Sequence, residues 1–198
     1  MKKFLVLGCA LAASSFAHAS FTVATFADPS TNKANWIFLW DQVANTLSGG
    51  WHQGGMTVRT PGLIGGGQVN NAQMDFDSVA LTPIIAGQLY RMSAGRVRFH
   101  TGDLTNSFLT ITFDSGLFQT PLAIGGSNLF ADNVRFSGPN VPGGLSEEQF
   151  SFSLANENNV ANGKTFTSAF TSSATPEPAT LLVLGGGVLL AVRRRRQR

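Results

Sequence analysis

Residues 108–114 read Phe-Leu-Thr-Ile-Thr-Phe-Asp, and this stretch decides the fold class. Leu109, Ile111 and Phe113 share one parity, and the two threonines and the aspartate occupy the other between and after them. Successive side chains of a strand point to opposite faces, so this pattern gives one apolar face and one polar face. The stretch therefore predicts a strand that is buried on one side.

The same two-residue period recurs along the chain. It is present in Met74–Asp77, Val134–Phe136, Phe150–Leu154 and Thr165–Thr167. Glycine- and proline-rich stretches, such as 138–144, separate these short apolar patterns and are typical of turns. Short strands divided by such turns predict one all-β domain over residues 20–170, with a jelly-roll-like β-sandwich as the expected architecture.

The tryptophans lie in a segment that allows two interpretations. Trp36, Trp40 and later apolar residues recur near helical spacing, but residues 36–40 also form a continuous apolar run that suits a buried strand. We favour a hairpin that turns at residues 41–45 and returns to Trp51. The three rings then serve either as core packing or as a stacking platform for a glycan. Core packing is the simpler interpretation.

The N-terminus has the pattern of an export signal over residues 1–19. Two lysines precede an apolar stretch, and Ala17 and Ala19 place small residues where signal peptidase cuts, before Ser20. Signal peptidase and the Sec translocon are therefore expected partners. Cleavage would remove Cys9, the only cysteine, so the mature chain would have no disulfide or thiolate ligand.

The charge of the chain differs between its segments. The formal net charge of the whole chain is +3, but residues 20–175 contain seven basic and ten acidic residues, a net charge of −3. The basic excess lies at the two termini. Arg96 and Arg98 alternate as the solvent face of a strand does. This distribution argues against a nucleic-acid-binding surface.

The C-terminal residues 176–198 form three distinct units in a fixed order. Pro176, Glu177 and Pro178 break regular structure. Residues 179–192 carry no charge and would span about 20 Å as a helix, less than the roughly 30 Å of a bilayer core. The arginines that follow would hold the terminus in the cytoplasm by the positive-inside bias; they are Arg193, Arg194, Arg195, Arg196 and Arg198. The order predicts a short transmembrane helix that acts as a membrane anchor, preceded by a Ser/Thr-rich linker at residues 171–175.

These three units together resemble the sorting tail of PEP-CTERM proteins, which is also catalogued as an ice-binding protein C-terminal domain. The resemblance covers the tail alone. It implies a bacterial protein, a substrate of exosortase, held in inner-membrane lipid with its folded domain in the periplasm. Processing would then place the protein at the cell surface or in the extracellular matrix. The resemblance also implies an association with exopolysaccharide or biofilm.

Catalytic and metal-binding patterns are weak in this sequence. His52 and His100 have no second histidine or cysteine at a metal-ligand spacing, and Asp75 and Asp77 fit an exposed strand face. We therefore expect no catalytic residue, metal or other cofactor, and a protein that is not an enzyme. The alternative functions are a carbohydrate-binding module that uses exposed tryptophans and, with less support, a secreted hydrolase.

Overall fold

The computed structural model describes residues 20–31, 34–102, 106–127, 130 and 132–176. These residues form fourteen β-strands, all paired antiparallel. In chain order the strands are β1 (Phe21–Phe26), β2 (Phe38–Asp41), β3 (Thr46–Trp51), β4 (Thr57–Arg59), β5 (Gln68–Asn70), β6 (Ala72–Ile85), β7 (Leu89–Met92), β8 (Gly95–Thr101), β9 (Ser107–Phe113), β10 (Gly116–Gln119), β11 (Ala123–Ser127), β12 (Arg135–Ser137), β13 (Leu145–Val160) and β14 (Gly163–Pro176).

Eight of the strands close into an antiparallel barrel. Around the barrel the order is β2, β3, β6, β7, β10, β11, β13 and β14, and β14 pairs again with β2. The seam that closes the circle pairs Gly163 with Asp41 and Phe166 with Phe38. The barrel thus consists of four hairpins in sequence, each lying beside the next.

Two long strands extend beyond the barrel and pair there with the remaining strands. On one edge of β6, residues 81–85 pair with β7, whereas residues 72–76 pair with β8, which leads on to β9 and β12. On one edge of β14, residues 163–166 pair with β2, whereas residues 170–174 pair with β1, which leads on to β4 and β5. Each long strand therefore changes its neighbour midway.

The predicted β-sandwich is wrong, because the sheet closes on itself. A sandwich requires two sheets with separate edges, but the β14–β2 and β3–β6 pairings join both sides of the sheet into one circle. Alternating side chains are needed by either architecture, so the strand patterns could not distinguish them. The all-β class and the individual strands agree with the pattern: Leu109, Ile111 and Phe113 are all buried.

Aromatic rings fill the interior. Phe152 is fully buried, and its ring lies 4.8 Å from that of Phe170 and 4.9 Å from that of Phe38, centroid to centroid. At the barrel end of the core, the Trp40 ring meets those of Tyr90 and Phe118 edge to face. Rings in such geometry contribute packing energy beyond their buried area. The barrel is a packed core, not an open channel.

The structure corrects the predicted C-terminal limit of the folded domain. Residues 171–175, assigned from the sequence to a linker, lie within β14 and pair with β13 and β1. Hydroxyl side chains suit this position, because the Oγ of buried Ser172 accepts a hydrogen bond from Ala24 N in β1 and donates one to Ala24 O.

No helix that could cross a bilayer occurs in the part of the chain that the structure describes. The predicted transmembrane helix of residues 179–192 lies outside that part.

Candidate functional site

A polar cluster lies on the outer face of the sheet formed by β3, β6 and β8. In β6, Met74 and Phe76 point into the core, so the alternation places Asp75 and Asp77 outside. Register pairs Asp75 with Arg98 of β8. The predicted solvent face of residues 96–98 is thus the basic side of an ion-paired surface.

Asp75 is the centre of this cluster. Its Oδ1 lies 2.6 Å from Nε2 of His52, and its Oδ2 lies 3.1 Å from Nε2 of His100. The Arg98 Nε is 4.0 Å from Oδ2. His52 has a side chain that is 54% exposed, whereas that of His100 is 3% exposed. One carboxylate therefore joins an exposed imidazole to a buried one.

Asp77 extends the network along the strand. Its Oδ1 accepts a hydrogen bond from Nη2 of Arg98 at 3.0 Å, and its Oδ2 lies 3.3 Å from Nε of Arg96. Because Arg98 reaches both carboxylates, it fixes their positions relative to each other. The two aspartates that the sequence placed on one exposed face do lie there, and both are paired with cations.

A shallow pocket of about 430 Å³ adjoins the exposed histidine. It is lined by Trp36, His52, Gln53 and Ala34, over a floor made by Ser48, Gly49 and Gly50 of β3. Trp36 is 40% exposed, whereas Trp40 and Trp51 are each only 3% exposed. The predicted hairpin is confirmed, since β2 and β3 pair through a turn at residues 42–45. Two of its tryptophans are core residues, and only Trp36 is available to a ligand.

The chemistry of the pocket follows from its hydrogen bonds. In its neutral form, His52 donates from Nε2 to Asp75, which leaves Nδ1 as an acceptor. The Gln53 side chain adds amide donors and an acceptor, and the indole of Trp36 adds an apolar face. Among the described residues, no group of three histidine, cysteine or acidic side chains is placed to hold a metal ion. The pocket has the groups needed to bind a polar, hydroxyl-rich ligand.

A second groove of about 380 Å³ lies on the opposite part of the barrel surface. Its floor is the glycine-rich strand β11, and Leu89, Leu117, Phe130 and Gln149 are among its walls. Buried Asp132 contributes a carboxylate to its lining, but Oδ1 accepts from Ser115 Oγ at 2.5 Å and Oδ2 from Ser127 N at 3.1 Å. The polar groups of this groove are therefore largely engaged within the protein.

The sequence patterns did not indicate that the two histidines share one carboxylate partner, Asp75. His52 follows β3, and His100 lies 48 positions later, one residue before the end of β8. The two histidines meet at Asp75 only because both strands pair with β6. Asp75 was singled out only for its neighbour Asp77. The one signal in the sequence was an acid on a predicted strand, which gives no information about the partners across the sheet.

Pro176, the first residue of the predicted sorting motif, is also the last residue of β14. A family model, the PEP-CTERM protein-sorting motif, matches residues 174–196. The chain carries a PEP-CTERM sorting tail. No curated protein and no solved structure matches the chain.

The PEP-CTERM tail identifies the chain as an exported protein that exosortase processes. It is made as a membrane-anchored precursor and is later located at the cell surface. Glu177, Pro178 and the arginines of residues 193–198 lie outside the described residues, as do Ala17 and Ala19 of the predicted signal cleavage site. The described strands run from Phe21 to Pro176, between these two segments.

Proposed function

We propose that the exported barrel binds exopolysaccharide of the cell surface or biofilm, and that the Trp36 pocket holds the glycan. This is a binding function, not an enzymatic one. The observation that carries it is the single accessible tryptophan, 40% exposed, beside His52 and Gln53.

The three groups of the pocket match the surface of a sugar ring. The C–H face of a pyranose is apolar and stacks on an aromatic ring, while its hydroxyls require donors and acceptors. Gly50 keeps the floor low, because a Cβ there would lie 3.1 Å from the Met74 carbonyl oxygen and 3.3 Å from Nε2 of His52. Trp36 would supply stacking, and His52 and Gln53 would select hydroxyls.

Asp75 supports binding by holding His52 in place. An exposed histidine that is not tethered loses side-chain entropy when it binds a ligand, whereas the 2.6 Å contact with Asp75 fixes the ring beforehand. The same histidine–carboxylate pair is the feature that favours a hydrolase, since it could activate water. The two functions differ in a simple observable, because only a hydrolase shortens the glycan.

The test uses the processed protein, purified from an exosortase-positive host that produces exopolysaccharide. Its migration in native gels is measured with and without that exopolysaccharide. We expect retardation, and we expect Trp36→Ala to weaken binding about tenfold, or about 1.4 kcal/mol. Phe130→Ala is the matched control, because Phe130 is 72% exposed and lines the other groove.

Two results would contradict the proposal. Equal retardation of the wild-type and Trp36→Ala proteins would exclude the pocket as the glycan site. Chain shortening of the glycan during incubation, lost in His52→Ala, would assign a hydrolase instead.

A further inference from the structure

The four hairpins of the barrel place their turns at the same end. The connections β2–β3, β6–β7, β10–β11 and β13–β14 join neighbouring strands, so an antiparallel circle puts all four turns on one rim. Each hairpin carries one or two exposed aliphatic side chains, either in its turn or at the end of the strand that leads into the turn. These residues, which we name the barrel crown, are Val43 (78% exposed), Ile84 (50%), Ile85 (51%), Leu122 (59%) and Val160 (40%).

Backbone hydrogen bonds join the four turns in two pairs. Gln42 N donates to Asn162 O at 2.9 Å, and Thr120 N donates to Gln88 O at 2.9 Å. Leu154 N donates to Leu122 O at 2.8 Å, which ties the β10–β11 turn to β13. The crown therefore consists of two joined pairs of turns on one rim, and its aliphatic side chains are exposed on each of them.

We propose that the barrel crown inserts into the interface of a lipid bilayer. Aliphatic side chains on separate turns can enter the headgroup region, while the barrel behind them stays in water. Further bonds satisfy the backbone inside the turns themselves: Gln88 N donates to Ile85 O at 3.0 Å, and Leu122 N to Gln119 O at 2.8 Å. Satisfied backbone groups lower the cost of entering an apolar medium.

The charged side chains near the crown are paired with groups of the protein itself. The Oδ1 of Asp41 accepts hydrogen bonds from Val43 N at 2.9 Å and Ala44 N at 2.8 Å. Lys164 Nζ lies 2.6 Å from Oε1 of Glu157. The crown therefore binds through apolar contact, and anionic lipid is not required.

A second copy of the chain fits the crown less well. Five side chains at these exposures offer about 300 Å² of apolar surface. A stable protein interface buries about 800 Å² on each partner. A bilayer surface needs no matching partner area, so it is the occupant that the small rim favours.

The sorting tail leaves the barrel at the other end. β14 starts at Gly163, beside the last turn, and runs through 14 residues to Pro176, which is about 45 Å in an extended strand. While the tail holds the precursor in one membrane, the crown faces away from that membrane. The lipid that it meets is therefore a different surface, reached across the space outside the inner membrane or after processing.

The experiment uses the processed protein and 100 nm vesicles, one set of phosphatidylcholine and one of phosphatidylethanolamine with phosphatidylglycerol. Co-sedimentation should show binding to both sets that persists in high salt. The double variant I84S/I85S should bind at least about tenfold more weakly, because two apolar anchors are lost. Leu122→Ser is a second variant that tests the crown independently. Ile64→Ser is the matched control, since Ile64 is 65% exposed but lies in the loop between β4 and β5.

Each other outcome would overturn the proposal. Absence of wild-type binding, full binding by I84S/I85S and Leu122→Ser, or an equal loss in Ile64→Ser would exclude insertion by the crown. Binding that salt abolishes would assign the contact to charge. A wild-type dimer in sedimentation velocity that I84S/I85S dissociates would assign the crown to a second copy. Near-UV circular dichroism confirms that each variant is folded.

Discussion

Replacing Gly163 with alanine should break the seam that closes the barrel. Gly163 lies at the start of β14, opposite Asp41 of β2. A Cβ at this position would overlap the carbonyl oxygen of Trp40 and lie 3.1 Å from the backbone nitrogen of Gln42. Because these are backbone atoms, a side-chain rotation cannot relieve the clash, and β2 must move away from β14.

The size of the destabilisation follows from the residue pairs that form the seam. The seam consists of four residue pairs, from Gly163–Asp41 to Phe166–Phe38. Losing two or three backbone hydrogen bonds of about 1 kcal/mol each, with looser packing of Trp40, gives a destabilisation of about 3 kcal/mol. For a domain of this size, that lowers Tm by roughly 6–12 °C.

The assay is thermal and denaturant unfolding of the processed protein, followed by near-UV circular dichroism. Gly67→Ala is the matched control, because a Cβ at Gly67 meets nothing within 4 Å. We expect the control to change the free energy of unfolding by less than about 0.5 kcal/mol. If Gly163→Ala also changes it by less than 1 kcal/mol, as an order-of-magnitude limit, the reasoning that the β2–β14 seam is tightly closed is refuted.

Two further predictions concern the polar cluster and the tail. Asp75→Ala leaves buried His100 without its carboxylate partner and should lower the free energy of unfolding, measured by chemical denaturation, by about 1–3 kcal/mol. The control Glu157→Ala breaks a partly exposed ion pair and should lower it by less than about 1 kcal/mol. Equal losses in the two variants would argue against a structural role for the cluster. Glu177→Ala should block processing of the tail in an exosortase-positive host, as measured by mass spectrometry of the C-terminus, and an unchanged processed product would count against the sorting motif.

The sequence indicated where the protein goes better than what its folded domain binds. The tail residues are contiguous, so their order alone carries the signal that the family match at residues 174–196 confirms. The pocket is different, because Trp36 and His52 come together only through the pairing of β2 with β3. Its electrostatics depend further on Asp75, which reaches His52 through the pairing of β3 with β6. No spacing within one segment could specify contacts that depend on two strand registers.

Closure of the barrel was unpredictable for a related reason. The alternation in β6 shifts by one residue along its length, because Met74 and Phe76 are buried before the shift and Val79 and Leu81 after it. Its edge changes partner from β8 to β7 over the same stretch, between residues 76 and 81. A strand pattern records which side chains face the core, but not which strand lies alongside. The choice between sandwich and barrel is made at these changes of neighbour. In β14 the change follows Phe166, whose partner Phe38 also lies beside Gly49, where a Cβ would come within 2.6 Å of the Phe38 ring. A glycine two strands away thus makes room for the ring that closes the seam, and such complementarity is visible only after the strands are in place.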